Sequence, residues 1–277
     1  MEKLYWDMCQ HFQQSPGGIA QKAIAGIEVA LWDIKAKSLN IPLYQLFGGP
    51  IYDKMRVYWS HCGTYRARNP EFYPDKPPLK TYDDIARLGQ EVVASGYTAL
   101  KTNIVIPGEK PRMLRVLDQN IDNNILKAID RLLSTLRQAI GDGIDLCLDL
   151  NFNFKTEGLI QVARVVEPYN LMWLELDIYD PDALRQIKEQ TRVPICSGEN
   201  LYTMRGYQPY LEKHAMDFCM IDVPWNGYIE SRRIAALADL YEIMVAPHNY
   251  YSHLSTFMSA HLCASVPNVK IMETDVD

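Results

Sequence analysis

The sequence lacks the patterns that mark several large classes of protein. No apolar run reaches the roughly 18 residues that a membrane-spanning helix needs, and no signal-peptide pattern opens the chain. Neither Gly-x-Gly-x-x-Gly nor a P-loop pattern is present, so nothing supports nucleotide binding. The net charge of −6, from 34 acidic and 28 basic residues, disfavours a nucleic-acid-binding face. We therefore expect a cytoplasmic protein that binds neither membranes nor nucleic acid.

Closely spaced cysteine pairs are also lacking. None of the six cysteines forms a Cys-x-x-Cys pattern, and Cys147, Cys196 and Cys219 fall inside predicted buried strands. This arrangement is typical of reduced core residues in a reducing compartment, rather than of disulfides or a zinc site.

Six ionisable residues recur at nearly even spacing through the second half of the chain. They are Asp149, Glu175, Glu199, Asp222, His248 and Glu273, separated by 26, 24, 23, 26 and 25 residues. Each ends a short apolar run, and each except Glu273 precedes a helical pattern, so the spacing is the length of one strand plus one helix. A (β/α)₈ TIM barrel, an α/β fold, produces this spacing because all its strands end at the rim that carries the active site. With 277 residues, of which 48% are hydrophobic, the chain can build one such barrel or two small domains.

The eight predicted strands are apolar, as expected of parallel strands buried on both faces. They span residues 56–62, 99–105, 145–150, 172–176, 194–198, 218–223, 243–246 and 269–273. The predicted helices span residues 1–14, 19–38, 82–94, 121–139, 157–167, 181–190, 203–213, 228–240 and 253–264. Residues 64–80 and 106–120 are predicted to be long loops.

The helix predicted over residues 19–38 precedes the first strand. Ile24, Ile27, Leu31 and Ile34 are spaced to form its buried face. Turn-forming residues between 40 and 50 end helical structure and predict a domain boundary, with domains at 1–50 and 51–277.

Three of the strand-end acids predict a metal site. Asp149, Glu175 and Glu199 end three consecutive strands, and neighbouring carboxylates are the hard oxygen ligands that Mg²⁺ prefers. Several acids on one rim would repel one another without a cation. Asn151, two residues after Asp149, is predicted to point the same way and to bind substrate or a metal-bound water.

A second group predicts acid–base chemistry. Asp222 and His248 end adjacent strands, and a carboxylate beside an imidazole fixes its tautomer and raises its basicity. Lys101 lies within a buried strand, where a lysine requires a negatively charged partner. We expect it to face Asp149. Its expected role is to bind the substrate or to shift the pKa of a neighbouring side chain. His61, at the end of the first strand, is a further substrate-binding candidate.

Several stretches resemble one branch of the enolase superfamily, the mandelate racemase/muconate lactonizing enzymes. The matching stretches are ALWDIKAK at 30–37, PLYQLFGG at 42–49, LDLN at 148–151, WLE at 173–175, SGEN at 197–200, IAALA at 234–238 and VAPHN at 245–249. The resemblance covers residues 19–277. It implies a modified, enolase-like barrel at 51–277 without its closing segment. Residues 1–50 would be a helical remnant of the α+β capping domain with the linker helix.

The resemblance also implies roles for individual residues. Asp149, Glu175 and Glu199 would bind one Mg²⁺ per active site, and His248 with Asp222 would form the base dyad. Glu273 would hydrogen-bond the substrate carboxylate or its enolate. A small-molecule carboxylate substrate and a homo-oligomer are further expectations of the family.

One departure from the family pattern bears on the reaction. Many members carry Lys-x-Lys on the second strand, whereas this chain has Lys101-Thr102-Asn103. Asn103 replaces the second lysine, so the base on that face is missing and racemisation is disfavoured; Asn103 becomes a substrate-binding candidate. The preferred hypothesis is a lyase that dehydrates a sugar acid, an aldonate or aldarate, to a 2-keto-3-deoxy acid. The alternatives are an epimerase or racemase, a cycloisomerase, and a truncated chain without catalytic activity.

Overall fold

The computed structural model describes residues 1–13, 17–114 and 119–276. Within these ranges lie eleven α-helices: α1 (Glu2–His11), α2 (Gly18–Ser38), α3 (Leu43–Leu46), α4 (Thr64–Arg68), α5 (Tyr82–Ala94), α6 (Asn123–Ile140), α7 (Thr156–Val166), α8 (Pro181–Lys188), α9 (Thr203–Glu212), α10 (Val223–Leu240) and α11 (His253–Cys263).

The same residues contain ten strands: β1 (Val57–Ser60), β2 (Ala99–Thr102), β3 (Val105–Ile106), β4 (Arg112–Met113), β5 (Asp145–Asp149), β6 (Trp173–Glu175), β7 (Ile195–Ser197), β8 (Phe218–Cys219), β9 (Met244–Val245) and β10 (Met272–Asp275). All eight strands predicted from the periodic pattern are therefore present. No helix in the described ranges is long and apolar enough to cross a bilayer.

The chain divides into two compact units. Unit 1 comprises Met1–Arg56, Gly198–His214 and Phe218–Glu273; unit 2 comprises Val57–Ser197, Ala215–Asp217 and the last residues from Thr274.

Unit 2 is built around parallel strands in the order β1-β2-β5-β6-β7. Leu100, Leu146 and Leu174 lie on successive strands and are fully buried, as expected of a sheet covered on both faces. The register places Asp149 directly beside Glu175 at the ends of β5 and β6. In unit 1, β8 and β9 pair in parallel, and a bridge between Asp222 and His248 continues their alignment.

Local sequence signals set the helix boundaries well where capping residues are present. In α5, the Asp84 amide donates to Thr81 Oγ1 and the Thr81 amide donates to Asp84 Oδ2, which is a complete capping box. Asp122 caps α6 without a reciprocal bond: its Oδ1 accepts from the amides of Asn124 and Ile125. Both helices begin within two residues of the predicted position.

Three predictions about irregular segments were wrong. Residues 64–80 contain α4, and residues 43–46 form α3, where helical structure was expected to stop. The strand predicted over 99–105 ends at Thr102, and β3 instead pairs with β4 as an antiparallel hairpin. The predicted loop at 106–120 includes residues 115–118, which lie outside the described residues. Short elements such as these carry too few residues for a periodic signal.

The predicted apolar face of α2 was also wrong. Ile27 and Ile34 are 53% and 62% exposed, and only Ile24 of the predicted set is buried. The buried face instead carries Gln21, Ala25 and Glu28. Polar residues occupy this face because they make hydrogen bonds within unit 1.

Glu28 caps a helix from a distant part of the chain. The α10 helix breaks at Gly227, whose φ is 69°, and its second part begins with the amides of Tyr228 and Ile229. These amides donate to the two carboxylate oxygens of Glu28 at 2.7 and 3.1 Å, and Trp32 Nε1 donates at 2.5 Å. A Cβ at position 227 would clash with Glu28 Oε2, so only glycine fits the break.

We predict a pH-dependent contribution of Glu28 to stability. Burial raises its pKa to about 7, from an ordinary value of 4.5, although three N–H groups donate to it. Because the folded-state pKa is raised, the stabilisation is complete below pH 4.5 and is lost as the pH rises towards 7. Across this window the free energy of unfolding of the wild type should fall by on the order of 3 kcal/mol through this group. Glu28→Gln should lack this part of the fall, because glutamine does not titrate.

The measurement is urea unfolding of wild type and variant at several pH values between 4.5 and 7. The exposed Glu189→Gln provides a matched control, since it removes one carboxylate from the surface. Parallel pH profiles for wild type and Glu28→Gln would contradict the prediction.

Candidate active site

A fully buried ion pair lies at the carboxyl end of the unit 2 sheet. Lys101 Nζ on β2 is 3.0 Å from both Oε1 and Oε2 of Glu175 at the end of β6. Glu175 is 0% exposed, and Trp173 Nε1 donates to its Oε2 at 3.2 Å. The carboxylate therefore has a cation and a neutral donor in place of water, as a buried charge requires.

This pair corrects the expected partner of Lys101. We predicted that Lys101 would face Asp149, but its ion-pair partner is Glu175. Lys101 is in register with Cys147, two residues before Asp149. Its long side chain therefore reaches the carboxylate of β6 instead.

Asp149 is buried among amide donors. The Asn151 amide donates to Oδ1 at 2.7 Å, and the Asn151 side chain also donates to this carboxylate, a contact that the sequence analysis did not predict. Asn103 Nδ2 donates to Oδ2 at 2.9 Å. Thr64 donates to Asn103 Oδ1 at 2.8 Å, and this bond turns the Asn103 amide group towards Asp149.

The donor chemistry of these strand ends fits a divalent cation. Asp149 and Glu175 are register partners on adjacent parallel strands and present buried carboxylate oxygens at the same level. Across residues 1–13, 17–114 and 119–276, no group of three or more His, Cys, Asp or Glu side chains is placed to hold a metal ion. Glu199, the third predicted ligand, belongs to unit 1.

In unit 1, His248 lies between two carboxylates. Its Nδ1 is 2.8 Å from Asp222 Oδ2, and its Nε2 is 3.1 Å from Glu199 Oε2. Burial alone would favour the neutral ring, but Glu199, Asp222 and Glu273 outweigh burial and raise the pKa of His248 to about 10. The imidazole is therefore held in its protonated form beside Glu199.

Asp222 both caps a helix and orients His248. Its Oδ1 accepts from the Trp225 amide at 2.8 Å in the first turn of α10. Its Oδ2 accepts from the Tyr251 hydroxyl at 2.6 Å as well as facing His248 Nδ1. The sequence did not point to Tyr251; the signal available was its position three residues after His248.

Glu273 lies on β10 and is fully buried. Its Oε2 accepts from the Asn249 amide at 2.7 Å, and Asn249 Nδ2 donates to the Glu273 carbonyl at 3.2 Å. The predicted substrate-binding acid is therefore tied to the residue that follows His248.

His61 lies in unit 2, immediately after β1. Its Nδ1 is 3.1 Å from Asp275 Oδ1, and its ring packs against Tyr65 with centroids 4.9 Å apart. Sequence reasoning missed Asp275 because strand 8 was expected to end at Glu273. The signal was the two-residue spacing from Glu273, which places both side chains on one face of β10.

The family of the chain follows from two domain matches. Residues 84–277 match the enolase C-terminal domain-like family, and residues 3–48 match the mandelate racemase / muconate lactonizing enzyme N-terminal domain. The chain belongs to the enolase superfamily, in its mandelate racemase/muconate lactonizing enzyme branch, and its fold class is the TIM-barrel-like α/β fold of that family.

Curated relatives match nearly the whole chain. D-xylonate dehydratase of Haloferax volcanii is 33% identical over 99% of this chain and 64% of its own length. D-gluconate dehydratase of Thermoproteus tenax is 28% identical over 92% of this chain. The chain spans only 48% of the length of that second enzyme.

Solved structures match the fold along the full chain. A candidate L-alanine-DL-glutamate epimerase of Burkholderia xenovorans is 37% identical, with a TM-score of 0.95 over 100% of this chain and 72% of its own. The same protein bound to magnesium and fumarate gives the same TM-score at 38% identity.

We predict that Lys101→Met strongly destabilises the protein. The substitution leaves the Glu175 carboxylate buried without its cation, which costs about 3–5 kcal/mol in similar cases. Lys37→Met is the matched control, because the Lys37–Asp33 pair is exposed on α2 and contributes little. Urea unfolding in the presence of EDTA measures both effects. Equal, small losses would show that the Lys101–Glu175 pair does not support the fold.

Proposed function

We propose that this protein removes the proton α to a carboxylate and dehydrates a sugar acid to a 2-keto-3-deoxy acid. The observation that carries the proposal is the buried Asp222–His248 pair, with Nδ1 fixed at 2.8 Å from the carboxylate. An imidazole oriented in this way is suited to general acid–base catalysis. Membership of a family with curated dehydratases supports this reaction class.

We propose that Asp149, Glu175 and Glu199 hold one Mg²⁺. The paired carboxylates of β5 and β6 support this assignment, as does the magnesium held by the Burkholderia relative. When bound, Mg²⁺ would supply positive charge that stabilises an enediolate. The same charge would offset the negative charge of Glu199, which otherwise favours the protonated form of His248.

The remaining residues act on the substrate and its proton. Neutral His248 takes the C2 proton at Nε2, while Asp222 stabilises the imidazolium that forms. Lys101 adds positive charge near the developing enediolate, and Glu273 hydrogen-bonds the substrate carboxylate or enolate. The electron pair of the broken C2–H bond then forms a C2–C3 double bond as the C3–O bond breaks, and the departing hydroxyl takes up a proton to leave as water. Tautomerisation of the resulting enol gives the 2-keto acid.

The substrate class is proposed from the relatives. Their names specify D-xylonate, D-gluconate and D-mannonate, all of which are aldonates with hydroxyls at C2 and C3. Asn151, Asn103 and His61 are the proposed substrate-binding residues. We also propose that residues 1–50 belong to the capping domain and residues 51–277 to the barrel domain, in line with the matches at 3–48 and 84–277.

Epimerisation is the second candidate function. It is favoured by the similarity to the candidate epimerase, at 37% identity. It is disfavoured by Asn103, since an amide cannot serve as the second base that inversion at one carbon requires. Both reactions begin with the same proton abstraction.

The direct test is a screen of the purified protein with Mg²⁺ against a panel of aldonates, aldarates and dipeptides. We expect a keto-acid product from at least one sugar acid, seen by proton NMR as a new methylene pair. A product with inverted configuration at C2 and no methylene pair would show that the protein is an epimerase and not a dehydratase.

We predict that His248→Asn abolishes exchange of the C2 hydrogen with D₂O and lowers dehydration by at least about 100-fold, because no base remains. Mg²⁺ binding, measured by calorimetry, should persist in this variant. His11→Asn is the control, since His11 is exposed and its Nδ1 makes a hydrogen bond with the Asp7 carbonyl one turn earlier in α1. Retained exchange in His248→Asn would refute the base assignment.

A further inference from the structure

We propose that His61 and Asp275 form a second proton-transfer pair, in which His61 donates the proton that the departing 3-hydroxyl requires. The inference rests on the proposed dehydration and adds its general acid, so that His248 need only act as the base. Three features of unit 2 carry it: the geometry of the pair, its place at the strand ends and the conformation of His61.

The geometry matches that expected of an oriented imidazole. Asp275 Oδ1 lies 3.1 Å from His61 Nδ1, and Ser60 Oγ lies 3.2 Å from the same nitrogen. Pairing through Nδ1 assigns the exchangeable proton of the imidazolium to Nε2, on the opposite side of the ring. The Asp222–His248 pair in unit 1 uses the same nitrogen towards its carboxylate.

Neighbouring aromatic contacts hold the pair in place. The Tyr65 hydroxyl donates to Asp275 Oδ2 at 3.4 Å, and the Tyr65 ring packs on the imidazole at an interplanar angle of 31°. The side chains of His61 and Asp275 are 14% and 24% exposed. They are therefore constrained by packing and still accessible to a small solute.

The backbone places His61 at the strand ends that carry the predicted ligands of unit 2. The Cys62 amide donates to the Lys101 carbonyl at 2.9 Å, which ties the residue after His61 to β2. Thr64 donates to Asn103, and Asn103 donates to Asp149. A short chain of hydrogen bonds thus connects the turn containing His61 to the Asp149 carboxylate.

His61 also adopts a backbone conformation that few residues tolerate. Its φ is 48°, in the left-handed region, and it is followed by a second turn at Gly63 with a φ of 80°. Backbone strain of this kind clusters at functional sites. The turn directs the imidazole to Asp275 on β10.

The proposed step balances without a further reactant. His248 accepts the C2 proton, and the resulting enediolate supplies the electron pair for the C2–C3 double bond. The C3–O bond breaks, and the leaving hydroxide takes the Nε2 proton of the His61 imidazolium to form water. His61 is left neutral, and solvent restores its proton between turnovers.

The test compares two leaving groups. With the sugar acid that the wild type dehydrates, His61→Asn should lower loss of the 3-hydroxyl by about 100-fold or more, whereas C2 exchange with D₂O persists. With the 3-deoxy-3-fluoro analogue, His61→Asn should stay close to wild type, because fluoride leaves as an anion without a proton. Asp275→Asn should show the same selectivity more weakly, and the exposed His11→Asn should change neither rate.

Each remaining outcome overturns the proposal. Equal losses with both leaving groups would mean that His61 positions substrate or supports the fold, and unchanged hydroxyl loss would mean that it takes no part. A wild type that exchanges the C2 hydrogen but never eliminates water would refute dehydration itself. That result appears before any variant is compared, so the two failures are distinguishable.

Discussion

Carboxylates buried at the ends of parallel strands impose the main constraint on this structure. Glu175, Asp222 and Glu273 are removed from water, and each ionised group needs a cation or several donors nearby. Unit 2 meets this need for Glu175 with Lys101, and unit 1 meets it for Asp222 with protonated His248. Every cation supplied in this way is also a residue that the proposed reaction uses.

Several side chains serve the fold and the site together. Asp222 caps the first turn of α10 with one oxygen and orients His248 with the other. Glu28 caps the second part of the same helix, beyond the break at Gly227. The position of the proposed base therefore depends on two buried carboxylates that belong to different parts of the sequence.

The strand-end residues were predictable because each one interrupts an apolar run at a fixed spacing, and all eight predicted strands are present. The contacts between these side chains were not predictable in the same way. Side-chain reach and register decide that Lys101 meets Glu175, and neither can be read from strand spacing alone. The buried face of α2 was missed because Glu28 lies on it, and its helix-capping partners are about 200 residues away. The family resemblance supplied the metal and base roles, which remain proposals for this chain.

The central claim is that the strand-end carboxylates hold a divalent cation, and calorimetric titration with Mg²⁺ tests it most directly. The account predicts binding of one ion per chain that is weakened by more than about 100-fold in Glu175→Gln and is unchanged in the surface variant Glu189→Gln. Absence of Mg²⁺ binding to the wild type, or wild-type affinity in Glu175→Gln, would contradict it.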